Sequence, residues 1–379
     1  MLHIKNNVIN ISKRLIAVHL AVLLIFPIII IFSSCNFCPN NPSDGSSSGN
    51  ELYFSLAPIN SNLPIIIQID VNSFYYNQLA DNGYLYSAPS QNGNFAFIRI
   101  NTTDNKKILM LGNVFSKSIQ QLQQEAKNIS IYYPILSPKG DKIVFQGGSN
   151  QLFLWVNDIA NQSSFIDKIS SAVVENSIPC FSGDGSKLAF FEISSDSNLV
   201  LKIIDSDKPD NIINSFTFQN EKLLPNIENY ITLATKNQNL FFVTQNDSSY
   251  FFRTININSS IIHNSIINKN NFEVKIAKIS PNGDYVIFST SNGNLWSINL
   301  TTSEPLYNKL TNVNACEKYI YFNWNKEGTK IVAQKIKCNS PSNVYSDAVV
   351  FELSSQNNIL SVNNSYMVSN NVITAFWGN

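Results

Sequence analysis

The stretch SPNGDYVIFSTSNGNLWSINL at Ser280–Leu300 decides the fold of this chain. It joins a polar turn, an apolar strand, a second turn and another apolar strand, and similar stretches recur along the sequence. Each unit has one residue at the equivalent position of its turn, and these residues are Gly49, Gly93, Gly140, Gly185, Gln238, Gly283 and Gly328. Successive residues in this series are 44, 47, 45, 53, 45 and 45 positions apart. A period near 45 residues with at least two strands per unit is typical of a β-propeller, in which each repeat forms one small sheet.

The strand that follows each turn is apolar on both faces. It begins three positions after the turn residue with these pairs: Leu52-Tyr53, Ala96-Phe97, Ile143-Val144, Leu188-Ala189, Phe241-Phe242, Val286-Ile287 and Ile331-Val332. A half-buried strand would alternate apolar and polar residues, so these pairs predict strands that are covered on both sides. Glycine tolerates the positive φ of a tight hairpin turn. Gln238 lacks that tolerance, so we expect the fifth unit to use a different turn.

The segments LSPKGDKIVFQGG, FSGDGSKLAFFEI and ISPNGDYVIFSTSNGNLWSINL resemble the propeller repeats of TolB-type proteins and of the prolyl-oligopeptidase propeller. The resemblance extends from about Gly49 to the end of the chain and implies an all-β fold. It implies little about activity, because one fold hosts many functions. TolB proteins carry an additional α/β domain before the propeller, where this chain has a short stretch rich in Ser, Gly and Pro. We therefore do not infer a role in the Tol system for this chain.

The two ends of the chain indicate how many blades the propeller has. VITAFWGN reads as the strand that precedes a turn, whereas SGNELYFSLAP begins at the turn and lacks its preceding strand. We therefore expect Val372–Trp377 to pair with Glu51–Leu56 and close the ring, which removes two open sheet edges. Seven turn positions then predict a seven-bladed β-propeller. The alternative is six blades, the usual number in the family that the chain resembles, with the Gly49 unit completing the sixth.

The N-terminal segment resembles a bacterial lipoprotein signal peptide. Lys5, Lys13 and Arg14 precede the apolar run Leu15–Phe32, which ends in small residues before Cys35. The resemblance implies cleavage before Cys35 and attachment of lipid to its thiol. The alternative is an uncleaved anchor helix, since the run approaches the length that spans a bilayer. Both interpretations place the rest of the chain outside the inner membrane, because positive charges stay on the cytoplasmic side.

This interpretation divides the chain into three parts: a signal peptide at 1–34, the lipidated Cys35 with a tether at 35–48, and a propeller at 49–379. From Asn36 to Ser48 the residues are mostly Asn, Pro, Ser and Gly, which predicts a flexible tether. The expected location is the bacterial cell envelope, facing the periplasm or the exterior. Asn36 is not the Asp that tends to retain lipoproteins in an inner membrane, which favours the outer membrane.

Composition limits the classes of partner. Lys+Arg and Asp+Glu are 26 each, so the formal net charge is zero and nothing favours a nucleic-acid partner. Only 14% of the residues are charged, whereas 44% are hydrophobic, enough for the core of one propeller domain. The expected partners are the membrane, through lipid on Cys35, and an envelope protein or extracellular ligand.

The five cysteines have different expected roles. Cys38 lies in the tether and Cys180 reads as a small buried apolar residue. Cys316 and Cys338 lie at equal distances on either side of Glu327 in one hairpin, so they would face each other across antiparallel strands. That geometry suits a disulfide in an oxidising compartment. Two packed thiols, or a register shifted by a bulge, are the alternatives, and a zinc site is not expected.

The sequence offers little for catalysis. His263 is the one histidine that follows the signal peptide, and a Ser-His-Asp hydrolase would need it beside a nucleophile. The α/β-hydrolase domain that accompanies prolyl-oligopeptidase propellers is not recognised in the chain. Asp141, Asp184 and Asp284 fall at turns, where carboxylates commonly accept bonds from backbone amides. No catalytic, cofactor or metal site is predicted.

Two functions therefore stand at this point. The favoured one is a non-enzymatic binding scaffold that acts through propeller loops and the central channel. The alternative is a carbohydrate-active enzyme, a glycosidase or lyase, that uses a pair of channel carboxylates. Paired carboxylates with one raised pKa would favour the enzyme, and exposed aromatic patches would favour the scaffold. Candidate binding loops are the insertions Ser116–Ser130, which has a helix-like pattern, and Asp207–Tyr230, which lengthens one step of the repeat.

Overall fold

A computed structural model describes most of the propeller region of the chain. The described residues are 50–58, 63–122, 130–148, 150–158, 163–225, 229–258, 261–302, 305–337 and 346–378. They belong to a unit that extends from Ser47 to Asn379. The signal peptide, Cys35 with its tether, Gly49 and Cys338 lie outside the described residues.

Within these ranges every regular element is a β-strand, as the sequence predicted. Four sheets contain four consecutive strands each, paired antiparallel in chain order. Their strands are β4 Gly83–Leu85, β5 Asn94–Ile100, β6 Lys107–Asn113 and β7 Ile119–Gln121; β8 Ile131–Leu136, β9 Lys142–Gly147, β10 Gln151–Asp158 and β11 Ser163–Ser170; β13 Cys180–Phe181, β14 Lys187–Ile193, β15 Leu199–Asp205 and β16 Ile212–Phe218; β23 Val274–Ile279, β24 Tyr285–Thr290, β25 Leu295–Asn299 and β26 Leu306–Lys309.

The fifth repeat is less regular. Its sheet has the order β17-β20-β21-β22, and β19 also pairs with β20. A short parallel pair, β12 with β18, links this repeat to the one before it. The strands are β12 Ser177–Ile178, β17 Lys222–Leu223, β18 Asn229–Tyr230, β19 Thr232–Ala234, β20 Asn239–Gln245, β21 Ser249–Asn256 and β22 Ile262–Asn268.

The two ends of the described chain meet in one seven-stranded sheet of order β27-β28-β29-β30-β1-β2-β3. The long strand β30 pairs first with β29 and then, through its last residues, with β1, where Leu52 faces Trp377 and Leu56 faces Val372. The strands are β1 Glu51–Leu56, β2 Ile65–Asp70, β3 Tyr76–Asp81, β27 Glu317–Trp324, β28 Lys330–Lys337, β29 Ser346–Gln356 and β30 Ile359–Trp377.

The second strand of each repeat forms the core. The apolar pairs that the sequence placed three residues after each turn lie on β1, β5, β9, β14, β20, β24 and β28, and every one of these side chains is buried. Aromatic rings join neighbouring sheets, as Phe252 of β21 does with Phe288 of β24 at a centroid distance of 5.6 Å. Burying such side chains supplies most of the stabilisation of the fold, at about 25 cal/mol per Å² of apolar surface.

The turn between the first and second strands is held by the residue that opens it. The Ser280 hydroxyl accepts a bond from the Tyr285 amide at 3.0 Å and donates to Asn282 Oδ1 at 2.6 Å. The Gly283 amide donates to the Ser280 carbonyl at 2.9 Å, and Gly283 has φ 85°. Positive φ also occurs at Gly93, Gly140, Gly185 and Gly328, which confirms the predicted role of the turn glycines.

The fifth unit does use a different turn, but not one that avoids positive φ. Gln238 has φ 57°, and it directly precedes Asn239, which closes the hairpin with Ala234. In the Ser182 turn, the residue with positive φ is Gly185, which lies two residues before Lys187, the residue that closes that hairpin. The residue with positive φ therefore comes one position later in the fifth unit. The Gln238 carboxamide compensates part of the backbone strain by donating to the Thr235 carbonyl at 2.7 Å.

The two insertions contain strands. The helix-like pattern of Ser116–Ser130 was misleading for Ile119–Gln121, which forms β7, because this segment supplies the fourth strand of its sheet. Residues 123–129 lie outside the described residues. The insertion Asp207–Tyr230 contains β16, the fourth strand of the preceding repeat, and the short strands β17 and β18, so nearly half of its residues lie in strands.

Candidate functional site

The first strands of successive repeats lie next to one another. The Ile231 amide donates to the Ile178 carbonyl at 3.2 Å, and the Asn323 carboxamide donates to the Ala375 carbonyl at 2.7 Å. The Tyr133 hydroxyl donates to Asn176 Oδ1 at 3.0 Å. We call the side chains along these strands the central surface: Tyr86, Tyr133, Asn176, Tyr230, Lys278, Tyr321 and Asn323.

One part of the central surface is built from tyrosines. The rings of Tyr86 and Tyr133 meet edge to face with centroids 5.7 Å apart. Tyr133 has φ 50°, a backbone conformation that costs a bulky residue free energy. A bulge in the pairing of β8 with β9 at this position accommodates it. The strained backbone aims the phenol at Asn176 of the next repeat, which combines an aromatic face with a hydrogen-bonding group.

The other part encloses a lysine between two rings. Lys278 is 4% exposed, and its Nζ lies 3.9 Å from the ring centroids of both Tyr230 and Tyr321. The ammonium also donates to Asn323 Oδ1 at 2.7 Å. A cation over an aromatic face is stabilised by about 2 kcal/mol or more when it is removed from water. The pair of tyrosines and the carboxamide thus hold a positive charge on the central surface.

Carboxylates are scarce along the same strands. Within the described bounds of β4, β8, β12, β13, β18, β19, β23, β27 and the end of β30, Glu317 is the one acidic residue, and it lies 3.2 Å from Lys335 Nζ. Hydrogen bonds from Ser182 and Ser186 lower the pKa of Asp184 to about 2, and Lys275 beside Glu273 lowers the pKa of that carboxyl. Asp184 is exposed at a turn, and Glu273 is exposed immediately before β23. The described central surface is therefore equipped for polar and aromatic recognition.

A second candidate site is an aromatic tip on the hairpin between β2 and β3. Phe74, Tyr75 and Tyr76 are consecutive and are 54%, 39% and 61% exposed. Asp70 Oδ1 accepts bonds from the amides of Asn72 and Ser73 at 2.9 and 2.8 Å. The hairpin is thus held rigidly while it exposes three large rings.

Other sequence-selected residues are placed as follows. Cys316 is exposed, and because Cys338 lies outside the described residues the disulfide stays a prediction. Cys180, predicted to be buried, is half-buried beside a cluster of buried apolar side chains, and burial raises the pKa of its thiol to about 12. His263 is exposed on β22, the last strand of its sheet. Lipidation of Cys35 also falls outside the described residues.

The turn carboxylates act within their own turns. Asp184 accepts a bond from the Ser186 amide at 3.0 Å, whereas Asp141 accepts from the Ser137 hydroxyl and Asp284 from the Asn282 carboxamide. Across the part of the chain that the structure describes, no cluster of three His, Cys, Asp or Glu side chains could hold a metal ion. In the same ranges no helix has the length and apolar character needed to cross a membrane.

One repeated signal escaped the sequence reasoning. The third strand of six repeats ends in Asp or Asn, at Asp70, Asn113, Asp158, Asp205, Asn256 and Asn299. At Asp70, Asn113, Asp205, Asn256 and Asn299 the side-chain oxygen accepts a hydrogen bond from the amide two residues further on. Aligning the chain on these residues as well as on the glycines would have located the hairpin that carries the aromatic tip.

Comparisons with known proteins rest on structure alone. No family model matches the chain, and no curated protein matches it. A candidate 6-phosphogluconolactonase from Bacteroides fragilis superposes with a TM-score of 0.57 at 10% identity, over 89% of this chain and 100% of that chain. The β-propeller domain of Cps50 (Swd1) from Myceliophteria thermophila gives 0.53 at 13% identity, over 76% and 90%. A candidate TolB from Agrobacterium tumefaciens gives 0.47 at 11% identity, over 69% and 88%.

The first two similarities show that the chain has a β-propeller fold, as the repeats predicted. At such low sequence identity these similarities show only the fold. The names of the proteins compared imply different activities, as expected of a fold that hosts many functions. In a propeller the sheets surround a central channel. The adjoining first strands, and with them the central surface, therefore lie around that channel.

Proposed function

We propose that the protein is a lipid-anchored component of a bacterial cell envelope whose propeller serves as a non-enzymatic binding scaffold. Lipid on Cys35 would hold it to the membrane, in the outer membrane where the cell has two. The partner is an envelope protein or an extracellular ligand, engaged through the central surface and the hairpin loops.

The ring would have seven blades. Support for this number comes from strand order: each repeat supplies four strands if the end of β30 is counted with β1, β2 and β3. The N-terminal β1 would then share a blade with the C-terminal strand and close the ring. The alternative is six blades, with the Gly49 unit completing the sixth.

The observation that carries the scaffold proposal is the composition of the central surface. It combines phenol rings in contact with neighbouring side chains, two carboxamides and the enclosed Lys278. Glycosidases and lyases of the usual kind need two suitably spaced carboxyls, and Glu317 with its lysine partner is the one carboxylate on the described first strands. Aromatic rings, by contrast, are enriched at binding surfaces.

Site-specific photo-crosslinking in intact cells tests the scaffold. A benzophenone amino acid would replace Tyr132 on β8 or Ile320 on β27, which are 38% and 42% exposed on first strands. Control positions are Ile212 and Ile266 on the last strands β16 and β22, which are 51% and 59% exposed. We expect a discrete crosslinked species from the first-strand positions only. Hydrolysis of envelope glycans by the purified protein, without such a species, would favour the carbohydrate-active enzyme instead.

The anchor is tested separately. Cys35→Ala should abolish palmitate labelling and leave the precursor uncleaved by the lipoprotein peptidase, because the thiol is the acceptor of the lipid. Cys38→Ala, in the predicted tether, is the matched control and should label normally. Palmitate labelling that persists in Cys35→Ala would rule out this anchor.

A further inference from the structure

In the aromatic tip the Phe74 ring meets Tyr366 edge to face, with centroids 6.5 Å apart, yet it stays 54% exposed. Phe74 has φ 55°, in the left-handed region that is unfavourable for residues other than glycine. Its amide donates to the Asp70 carbonyl at 2.8 Å, and the Asp70 amide donates to the Tyr75 carbonyl at 2.9 Å.

The corresponding hairpin of the next repeat provides an internal comparison. There Asn113 accepts bonds from the amides of Phe115 and Ser116, as Asp70 does from Asn72 and Ser73. The left-handed position is Lys117, with φ 54°. The same turn is therefore formed with a polar residue at this position, and the ring of Phe74 is not needed to form it.

The tip adjoins the point where the chain enters the propeller. The Val71 amide donates to the Asn50 carbonyl at 3.0 Å, and Glu51 pairs with Asp70. Asn50 follows Cys35 by 15 positions. A chain of 15 residues spans at most about 50 Å. A lipid on Cys35 would thus keep the start of the propeller, and with it this hairpin, within that distance of the membrane surface.

The chemistry of the tip suits the boundary between lipid headgroups and hydrocarbon. Tyrosine is enriched at this boundary because its ring is apolar and its hydroxyl is polar, and phenylalanine lies on the buried face of segments that bind there. The hairpin and its strand, residues 70–81, contain no Lys or Arg, and the whole chain has zero formal net charge. Contact with the bilayer would therefore depend on aromatic insertion and little on anionic lipid.

We propose that Phe74, Tyr75 and Tyr76 insert into the bilayer interface and orient the propeller on the membrane to which Cys35 is attached. This inference rests on the proposed lipid anchor. The anchor limits the distance of the propeller from the bilayer, and insertion of the aromatic tip determines which hairpins of the propeller face the bilayer.

Quenching by brominated lipid tests the insertion. The full-length lipidated chain, carrying Tyr76→Trp, would be reconstituted into phosphatidylcholine vesicles with or without dibrominated phosphatidylcholine. Ile266→Trp is the control, because Ile266 is 59% exposed on β22 of another sheet, close to the 61% of Tyr76. The four native tryptophans, Trp155, Trp296, Trp324 and Trp377, are buried or half-buried, and the wild-type signal is subtracted.

We expect brominated lipid to quench Tyr76→Trp at least about twofold more than Ile266→Trp, since shallow insertion places the indole within reach of the bromines. Added salt should leave the difference unchanged. Equal quenching of the two variants would overturn the insertion, as would protection of the introduced indole by an added envelope protein but not by lipid. The mass of the Cys35 peptide separates the two proposals: an unlipidated peptide refutes the anchor, whereas a lipidated protein without selective quenching refutes only the insertion.

Discussion

At the scale of single residues, the turn glycines differ in what a side chain would meet. At Gly185, with φ 74°, an added Cβ would lie 3.6 Å from Pro138 Cδ, an ordinary contact. At Gly283, with φ 85°, it would overlap the carboxamide of Asn237, which donates to the Asn282 carbonyl at 3.3 Å. The first site therefore carries only backbone strain, and the second carries strain and a clash.

We predict that Gly185→Ala lowers the free energy of unfolding by about 1–2 kcal/mol, the cost of a left-handed residue with a Cβ. Gly283→Ala should cost more, because Asn237 must also give up its position. Urea denaturation of the two variants and the wild type measures the difference. The reverse order of stability would show that the Asn237 contact does not limit this turn.

Asp184 links stability to pH. Hydrogen bonds from Ser182 and Ser186 lower its pKa to about 2, from an ordinary value of 3.8. Because the pKa is lower in the folded protein, the ionised carboxylate stabilises the fold fully above about pH 4, and this contribution is lost as the pH falls towards 2.

The variant Asp184→Asn should therefore melt below the wild type at pH 6, with a difference that shrinks between about pH 4 and pH 2. Asp196→Asn, an exposed acid at another turn, is the matched control. Thermal unfolding across this range provides the measurement. A difference in melting temperature that stays constant over the whole range would contradict the assignment.

At the scale of elements, the hairpin of β27 and β28 bears on the cysteine pair. Glu317 lies opposite Lys337 and Lys318 opposite Ile336, and a bulge occurs further along, between Tyr319 and Tyr321. The described register ends at the Glu317–Lys337 pair, and Cys316 lies in the turn just before it. The facing of Cys316 and Cys338 therefore stays a prediction.

In an oxidising compartment we expect peptides containing Cys316 and Cys338 to be linked when mapped by mass spectrometry without reductant. Replacing both residues with serine should cost about 2–4 kcal/mol of stability. Cys180→Ser controls for loss of a thiol elsewhere. Alkylation of both cysteines in the native, unreduced protein would exclude the bond.

At the scale of the whole molecule, the meeting of the chain ends concentrates buried surface at the C-terminus. Val372 and Ala375 have no exposed surface, and Phe376 and Trp377 are 7% and 3% exposed. The ring of Phe376 packs against Tyr321 with centroids 6.1 Å apart, so the last strand contacts the repeat before it as well as β1.

Deleting residues 372–379 should cost several kcal/mol and promote aggregation, because it removes buried aromatic side chains and leaves sheet edges open. Deleting Gly378 and Asn379 alone is the matched control and should have a small effect, since it removes the bond from the Gly378 amide to the Glu51 carbonyl and no large side chain. Calorimetry and light scattering of both truncations measure the effect. A longer truncation that stays monomeric and melts with the full chain would favour six blades.

The sequence identified the turns and strands that depend on residues close together in the chain. The glycine series located the turns at Gly140, Gly185, Gly283 and Gly328, because positive φ excludes most other residues there. The doubly apolar pairs located the buried second strands. The helix-like pattern before β7 failed, since a short polar outer strand gains its structure from pairing with β6 and has no strong preference of its own.

By itself, then, the sequence determined the repeat, the all-β class and the buried second strand, because turn geometry and hydrophobic burial act within one unit of the chain. Only the tertiary structure decided which side chains from different repeats meet. Lys278 lies between Tyr230 and Tyr321, which come from two other repeats, and Asn50 binds beside the aromatic tip through Val71. Such contacts join residues distant in sequence and depend on how neighbouring sheets pack, which no local pattern encodes.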